Sequence, residues 1–165
     1  MANGGDSATT SQVRAHTAWL VAAVGAIVAV DQLTKAWAVS ALANGPIHIF
    51  GDTVKFQLAR NSGSAFSRFQ GYTPVLAIAA IVITAFIARA VRHASDRWVI
   101  IGLVLVLGGA LGNLADRFAR APGFLHGYVV DFIGVGWWPL FNLADSCVTV
   151  GAIVLVVRTM LARDS

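Results

Sequence analysis

The residues of this chain that are best suited to chemistry are its carboxylates, and they are few. All eight acidic residues are Asp, and the 165-residue sequence contains no Glu. Two carboxyl groups placed close together cannot both ionise easily, so one keeps its proton while the other stays anionic. The anionic group can take a proton from water and the protonated group can polarise a carbonyl. Asp131 and Asp145 are candidates for such a pair, although their spacing alone does not bring them into contact.

The surroundings of these two residues strengthen their candidacy. Asn142 and Asp145 are spaced i,i+3 in an apolar stretch, so both lie on one face of the predicted helix. A buried Asn beside a buried Asp in lipid has no simple structural explanation, and ionisable groups in a membrane span are functional candidates. Asp131 interrupts the apolar run YVVDFI at 128–133, where an acidic residue is unusual for a strand or a loop.

Two further polar pairs admit a structural interpretation as well as a functional one. Asp31 and Lys35 are spaced i,i+4, which is typical of an ion pair on one helix face. Asp116 and Arg117 lie at the end of an apolar stretch, where Arg117 can extend its charged head towards water.

Other catalytic chemistries fit the sequence less well. The four histidines are scattered and form no HExxH-type pair, so we expect neither a metal site nor a cofactor. Lys35 could in principle deprotonate a serine such as Ser64 or Ser146, as in a Ser–Lys hydrolase. Cys147 is the single cysteine, which forbids an internal disulfide, and a small buried cysteine is common in protein cores.

The elements that carry these residues are predicted to cross a membrane. Hydrophobic residues make up 57% of the chain and charged residues 12%, too few to cover a water-soluble domain. This composition excludes a disordered chain and a nucleic-acid binder, despite the net charge of +4. Four apolar segments approach the roughly 20 residues of a transmembrane helix. They span about 18–42, 74–91, 98–115 and 138–157.

The predicted fold is therefore a membrane all-α protein, with one domain over 18–161. Residues 1–17 are polar and predict a flexible cytoplasmic tail; the apolar run after them is too long for a cleavable signal. Six Arg residues flank one side in short segments, and five Lys or Arg residues lie on the other. This bias places both termini in the cytoplasm. The outer loop at 46–59 has β-rich stretches around Gly51, which predicts a hairpin, with a plain extended loop as the alternative.

With this orientation, the polar residues of three spans converge at one depth near the outer face. We expect Asp31, Asp116, Asp131 and Asp145 in that layer, and the other four acids in tails and turns. In the third span, Gly108 and Gly112 have the GxxxG spacing that permits close helix packing.

Several blocks of this sequence resemble a known protein family. The chain resembles the lipoprotein signal peptidases (signal peptidase II), which are intramembrane aspartyl proteases of bacteria. Five blocks carry the resemblance in matching order: DQLTK at 31–35, RNSGSAFS at 60–67, GGALGNLADR at 108–117, VVDF at 129–132 and FNLADS at 141–146. One departure is Ser64, where the family usually has a small apolar residue.

The resemblance implies a function and an assignment of residues. It implies an aspartic endopeptidase that removes the signal peptide from diacylglyceryl-modified prolipoproteins just before the lipidated Cys. Asp131 and Asp145 would be catalytic. Residues that bind substrate or support the site would be Asp31, Lys35, Asn61, Asn113, Asp116, Arg117 and Asn142.

The family fold adds further expectations. It is a four-transmembrane-helix bundle with a small extracytoplasmic β region in the bacterial cytoplasmic membrane, and its active site lies near the outer face. The expected partners are prolipoprotein substrates and membrane lipid, with no nucleic acid, and a single copy suffices for function. Ser64 to Gln70 are expected to form a short helix over the cleft.

Two functions of other classes compete with this interpretation. A small proton-coupled transporter or channel subunit would use the intramembrane Asp and Lys residues as a relay, and predicts polar groups through the whole depth of the membrane. A non-catalytic scaffold assembled through GxxxG contacts predicts that the Asp residues can be replaced with little loss.

Overall fold

Four helices and three strands follow one another in a computed structural model that describes residues 4–51, 53–62 and 73–163, without the side chains of 4–16, 73 and 76. The helices are α1 (Gly4–Ala41), α2 (Thr73–His93), α3 (Arg97–Ala119) and α4 (Leu143–Leu161). The strands are β1 (Ile47–Phe50), β2 (Val54–Asn61) and β3 (Val129–Val135). The short helix predicted at Ser64 to Gln70 lies outside the described residues.

Two helix starts differ clearly from the sequence-based expectation, and α3 and α4 each end four residues later than expected. Helix α1 begins at Gly4, so its backbone is helical within the segment predicted as a tail; the flexibility and cytoplasmic placement of that segment stay predictions. Helix α4 begins at Leu143 and not near 138. Phe141 instead pairs with Ile133 of β3 as an extended residue, and Asn142 caps the helix. Pro139 lies two residues before Phe141, outside the pairing with Ile133, where a residue that lacks a backbone N–H is tolerated.

The hairpin predicted at 46–59 is present, and β3 extends it into a sheet of three strands. The order is β1-β2-β3, and both pairings are antiparallel. Gly51 in the β1–β2 turn has a φ of +55°, a conformation that glycine adopts without strain. The register places Asp131 of β3 opposite Ala59 of β2. Most of the run at 128–133 therefore belongs to a strand that is buried on both faces, so polar and apolar residues do not alternate along it.

Helix α3 is the centre of the bundle, with α1, α2 and α4 all packed against it. Its glycines permit this closeness, as the GxxxG spacing predicted. A side chain at Gly108 would meet Ile27 of α1, at 2.8 Å from its Cβ. At Gly112 it would meet the Oδ2 atom of Asp31 at 2.6 Å. The absence of side chains at these positions lets the polar face of α1 lie directly against α3.

The described helices also present large apolar surfaces outward. Trp19, Val82, Phe86 and Val156 are each more than half exposed, which is the pattern of a helix solvated by lipid. Among the described residues, three segments are long and apolar enough to cross a bilayer: Thr17–Ala41, Arg97–Ala119 and Leu143–Leu161. The chain is therefore a membrane protein, and its sheet packs against the end of the bundle through Ala38, Leu42, Val130 and Phe132.

Candidate active site

The buried polar side chains of the described residues gather at the end of the bundle that meets the sheet. The buried polar and charged residues there are Asp31, Lys35, Asp116, Asp131 and Asn142. They come from α1, the last turns of α3, strand β3 and the start of α4. The convergence of polar residues predicted from the sequence is thus present. A proton relay through the membrane would need buried polar groups along the whole length of the bundle. Among the described residues, Thr84 is the only buried polar residue away from the end that meets the sheet.

Asn142 connects the two candidate catalytic carboxylates. Its side-chain Nδ2 atom donates to the Oδ1 atom of Asp131 at 2.7 Å. Its backbone N–H donates to the Oδ2 atom of Asp145 at 3.2 Å, and its Oδ1 atom accepts from the backbone N–H of Asp145 at 2.9 Å. The last two bonds form a capping box at the start of α4. One residue therefore holds Asp131 and Asp145, which we call the carboxylate pair, next to each other.

Two more amides complete the hydrogen bonds of the carboxylate pair. Asn113 of α3 donates to the Oδ1 atom of Asp145 at 2.8 Å, and Asn61 of β2 donates to the Oδ2 atom of Asp131 at 3.0 Å. Four elements therefore converge on the pair, and every hydrogen bond recorded to it within the described chain comes from an amide or a backbone N–H.

The environment of Asp131 favours its protonated form. Its side chain is only 2% exposed. Burial, together with the negative charge of Asp145, raises the pKa of Asp131 to about 6, while the hydrogen bonds from Asn61 and Asn142 act in the opposite direction. A carboxyl group with a raised pKa beside a second carboxylate is the arrangement that shared-proton chemistry requires.

Lys35 contacts two further acids, Asp31 and Asp116, near the carboxylate pair. Its ammonium lies 2.9 Å from the Oδ2 atom of Asp31 and 2.9 Å from the Oδ2 atom of Asp116, and it also donates to the Oδ1 atom of Asn113 at 2.9 Å. An ammonium has three donors, and all three are engaged here. We call Asp31, Lys35 and Asp116 the lysine cluster; all three residues are fully buried.

The lysine cluster holds the backbone segments that carry the carboxylate pair. Asp31 accepts a hydrogen bond from the backbone N–H of Ala144, next to Asp145, at 3.0 Å. Asp116 accepts one from the backbone N–H of Val130, next to Asp131, at 3.2 Å. The ion pair predicted for Asp31 and Lys35 is therefore present, and it is also linked to the site.

Two residues of this network escaped the sequence analysis. Gln32 donates to Asp31, to the backbone oxygen of Gly112 and to Asp116, at 3.1–3.2 Å. Arg120 donates from Nε to the Oδ1 atom of Asp116 at 2.6 Å. The spacing of Asp116 and Arg120, i,i+4 at a helix end, was the available signal for this second ion pair.

Arg117 lies near the pair without a salt bridge to it. Its guanidinium interacts electrostatically with Asp131 and Asp145. Its Nη1 atom is buried and has no hydrogen-bond partner among the residues that the structure describes. Arg117 therefore offers a donor close to the carboxylates.

The alternative nucleophile finds no support in the described contacts. The Ser146 hydroxyl donates to the backbone oxygen of Asn142 at 3.0 Å, within its own helix, and the donors of Lys35 are already engaged. Ser64, the other serine considered, lies outside the described residues. Within the described part of the chain, no three His, Cys or Asp side chains are grouped as metal ligands would be.

Known proteins resemble this chain in sequence and in fold. A family model described as signal peptidase (SPase) II matches residues 23–161. The lipoprotein signal peptidase of Mycobacterium avium (strain 104) is 49% identical over 146 residues, covering 88% of this chain and 80% of the relative. That of Rhodococcus jostii (strain RHA1) is 48% identical over 141 residues, covering 85% and 71%.

A solved structure agrees at the level of the fold. It is described as a bacterial membrane enzyme determined by the in meso method at 2.3 Å resolution. It has a TM-score of 0.74 and 25% sequence identity, and the match covers 87% of this chain and 88% of that one. The site is thus a pair of carboxylates, one buried and one partly buried, in a membrane enzyme fold. The chain belongs to the signal peptidase II family, as the sequence motifs indicated.

Proposed function

We propose that this protein is an aspartic endopeptidase that removes the signal peptide from diacylglyceryl-modified prolipoproteins, cutting just before the lipidated Cys. Relatives that cover most of the chain are named lipoprotein signal peptidases. The observation that carries the chemistry is Asn142, which joins Asp131 and Asp145 through its side chain and backbone. The pair needs only water as co-reactant.

In the proposed mechanism, Asp145 is the ionised base and Asp131 carries the proton. Asp145 lies in the first turn of α4 and accepts a hydrogen bond from the backbone N–H of Asn142. Burial of Asp131 raises its pKa to about 6 and favours its protonated form. A water between the two carboxyls loses a proton to Asp145 while its oxygen attacks the scissile carbonyl.

The remaining proton transfers return the pair to its starting state. Asp131 gives its proton to the carbonyl oxygen as the tetrahedral intermediate forms. When the C–N bond breaks, Asp145 returns its proton to the leaving amine and Asp131 takes one back from the hydroxyl of the intermediate. Arg117, with a buried donor and no described partner, is suited to hold a backbone carbonyl of the substrate beside the pair. The amides of Asn61 and Asn113 keep the carboxylates oriented.

We infer that all four helices cross the bacterial cytoplasmic membrane, with both termini inside and the carboxylate pair near the outer face. Helix α2, Thr73–His93, is 21 residues long and exposes apolar side chains such as Phe86, which supports its role as a span. The basic residues at the end of α2 and the start of α3 support an inner turn between them. A single copy contains the whole pair, which supports function as a monomer.

The test is a cleavage assay with the purified full chain and a diacylglyceryl-modified prolipoprotein, followed by the mobility shift of the product. We expect cleavage of the lipidated substrate and much slower cleavage of the same substrate without its diacylglyceryl group. The enzyme from Mycobacterium avium, assayed in parallel, controls for the conditions. If that relative cleaves and this chain does not, the proposal is wrong.

A further inference from the structure

A long apolar groove runs along the bundle on a different face of α3 from the carboxylate pair. Helices α1 and α3 form its walls, together with the last turns of α2, and its volume is about 780 Å³. Val24, Gly25 and Val28 line it from α1, and Leu107 and Leu111 line it from α3. Asn113 of α3, in contrast, faces α4 and the pair. The groove therefore does not open onto the carboxylate pair, although Gln32 at one of its ends belongs to the network around the lysine cluster.

The polar groups of the groove lie at its ends. Thr17 and Arg92 mark the end away from the sheet, and Gln32 marks the end nearer to it. Arg92 is exposed, in the last turn of α2 beside His93. Nearby cations are engaged elsewhere, since Arg158 pairs with Asp96 and Arg97 lies over the ring of Trp98. No acid pairs with Arg92 in the part of the chain that the structure describes.

The groove is long and apolar between its polar ends. Thr17 and Gln32 are fifteen residues apart, which corresponds to about 22 Å along α1. The residues of α1 between them that line the groove are Leu20, Val21, Val24, Gly25, Val28 and Ala29. Apolar walls of this length suit hydrocarbon.

We propose that this groove binds one anionic phospholipid, with an acyl chain between α1 and α3 and the headgroup phosphate on Arg92. The charge at one end and the apolar wall along the rest match the two parts of such a lipid. The acyl chain fills space that α1 and α2 leave open over α3. It extends towards Gln32, which is bonded to the lysine cluster.

The test uses native mass spectrometry of the purified full chain after addition of dioleoylphosphatidylglycerol or dioleoylphosphatidylcholine. We expect one tightly retained lipid, with the anionic lipid preferred. Gly25→Leu fills the groove, and it can do so because a Cβ at Gly25 meets no atom within 4 Å. It should weaken retention about tenfold, equivalent to ~1.4 kcal/mol. The matched control, Ala22→Leu, adds a similar side chain to an exposed position of α1 outside the groove.

A second pair of variants tests the headgroup contact without changing the groove. Arg92→Gln should abolish the preference for the anionic lipid, whereas Arg89→Gln, one turn earlier on α2 and outside the groove lining, should keep it. Equal losses in Gly25→Leu and Ala22→Leu, or an unchanged preference in Arg92→Gln, would overturn the proposal. So would crosslinking of a Gly25→Cys variant to the signal peptide of a bound prolipoprotein, or spectra in which a second copy displaces the lipid.

Discussion

The carboxylate pair and the lysine cluster each contain two Asp residues, but the partners of these carboxylates differ. Asp31, Asp116 and Asp131 are buried, and Asp145 is partly buried. In the lysine cluster, Asp31 and Asp116 contact the ammonium of Lys35, and Arg120 adds a second cation. In the pair, the donors recorded within the described chain are amides and backbone N–H groups. Cations neutralise a carboxylate, whereas amides orient it and leave its charge in place.

This difference supports the proposal that Asp31 and Asp116 hold the site in shape while Asp131 and Asp145 react. Two acids matched by two cations form a group with no net charge, which can remain ionised and fixed. Two acids held by amides share an excess negative charge. Burial, together with the negative charge of Asp145, raises the pKa of Asp131 to about 6 and favours its protonated form. Asp131 and Asp116 are almost equally buried, at 2% and 0% exposed, so the kind of partner distinguishes these two carboxylates.

The largest expected effect comes from removing a carboxylate of the pair. Asp131→Asn or Asp145→Asn should lower the rate of prolipoprotein cleavage by about 10³-fold or more, because neither variant can both activate water and protonate the product. The measurement is single-turnover cleavage of the lipidated substrate by variants that retain a wild-type melting profile. Asp96→Asn is the control, since Asp96 caps the opposite end of α3. Near-normal turnover in either pair variant would refute the assignment.

Lys35→Met should act mainly on folding. It leaves Asp31 and Asp116 buried without their shared cation and should reduce the free energy of unfolding by about 3–5 kcal/mol. Denaturant titration in micelles measures this loss. Lys55→Met, in strand β2, is the matched control and should change stability by less than about 0.5 kcal/mol. Adding Asp116→Asn to Lys35→Met should recover part of the loss; additive losses in the double variant would contradict the charge-balance argument.

Asn142→Ala breaks the connection between the two carboxylates while leaving both present. Displacement of Asp131 relative to Asp145 should lower the cleavage rate by about 10²-fold. Loss of the helix cap should lower stability by only about 1 kcal/mol. Asn44→Ala, in the exposed turn after α1, should affect neither quantity. An effect on stability alone would show that Asn142 is merely a cap.

The pH dependence gives the smallest but most specific effect. Because Asp131 must hold its proton, kcat/KM should fall as the pH rises above about 6, the pKa of this carboxyl. Asn61→Leu removes a hydrogen bond that favours the ionised form of Asp131, so the fall in kcat/KM should move to higher pH.

The free energy of unfolding should also depend on the protonation of Asp131. Because its pKa in the folded protein is about 6, above the usual 3.8, its contribution to stability is full below pH 3.8 and declines as the pH rises to about 6. Asp131→Asn should remove this pH dependence of the unfolding free energy. If the fall in kcat/KM occurs at the same pH in Asn61→Leu as in the wild type, the proposed role of Asp131 is wrong.

Much of the architecture follows from sequence pattern alone. Long apolar runs specify the helices, the glycine spacing of α3 specifies its close contacts, and the segment around Gly51 specifies a hairpin. Strand β3 was not predicted, because a strand covered on both faces shows no alternation. The start of α4 was placed too early, although Pro139 and the N-x-x-D pattern ending at Asp145 both signal a cap at Asn142.

For the site, the sequence located the polar residues but not their partners. Asp131 and Asp145 were singled out by residue type and motif, and their catalytic roles stay predictions until the variants are assayed. Contacts such as Lys35 with Asn113 join residues far apart in sequence, so no local pattern could reveal them. Arg120 was missed although its i,i+4 spacing from Asp116 was a local signal, whereas the contact of Gln32 with Asp116 joins residues 84 positions apart.

The double attachment of Asn142 has a consequence for how the protein responds to its bilayer. Transmembrane helices adapt to membrane thickness by tilting. Strand β3 and the start of α4 are joined by Asn142 and by the hydrogen bonds between Ile133 and Phe141. A tilt of α4 therefore carries both carboxylates together and preserves their separation. We therefore expect the cleavage rate to depend less on bilayer thickness than it would if β3 and the start of α4 could move apart.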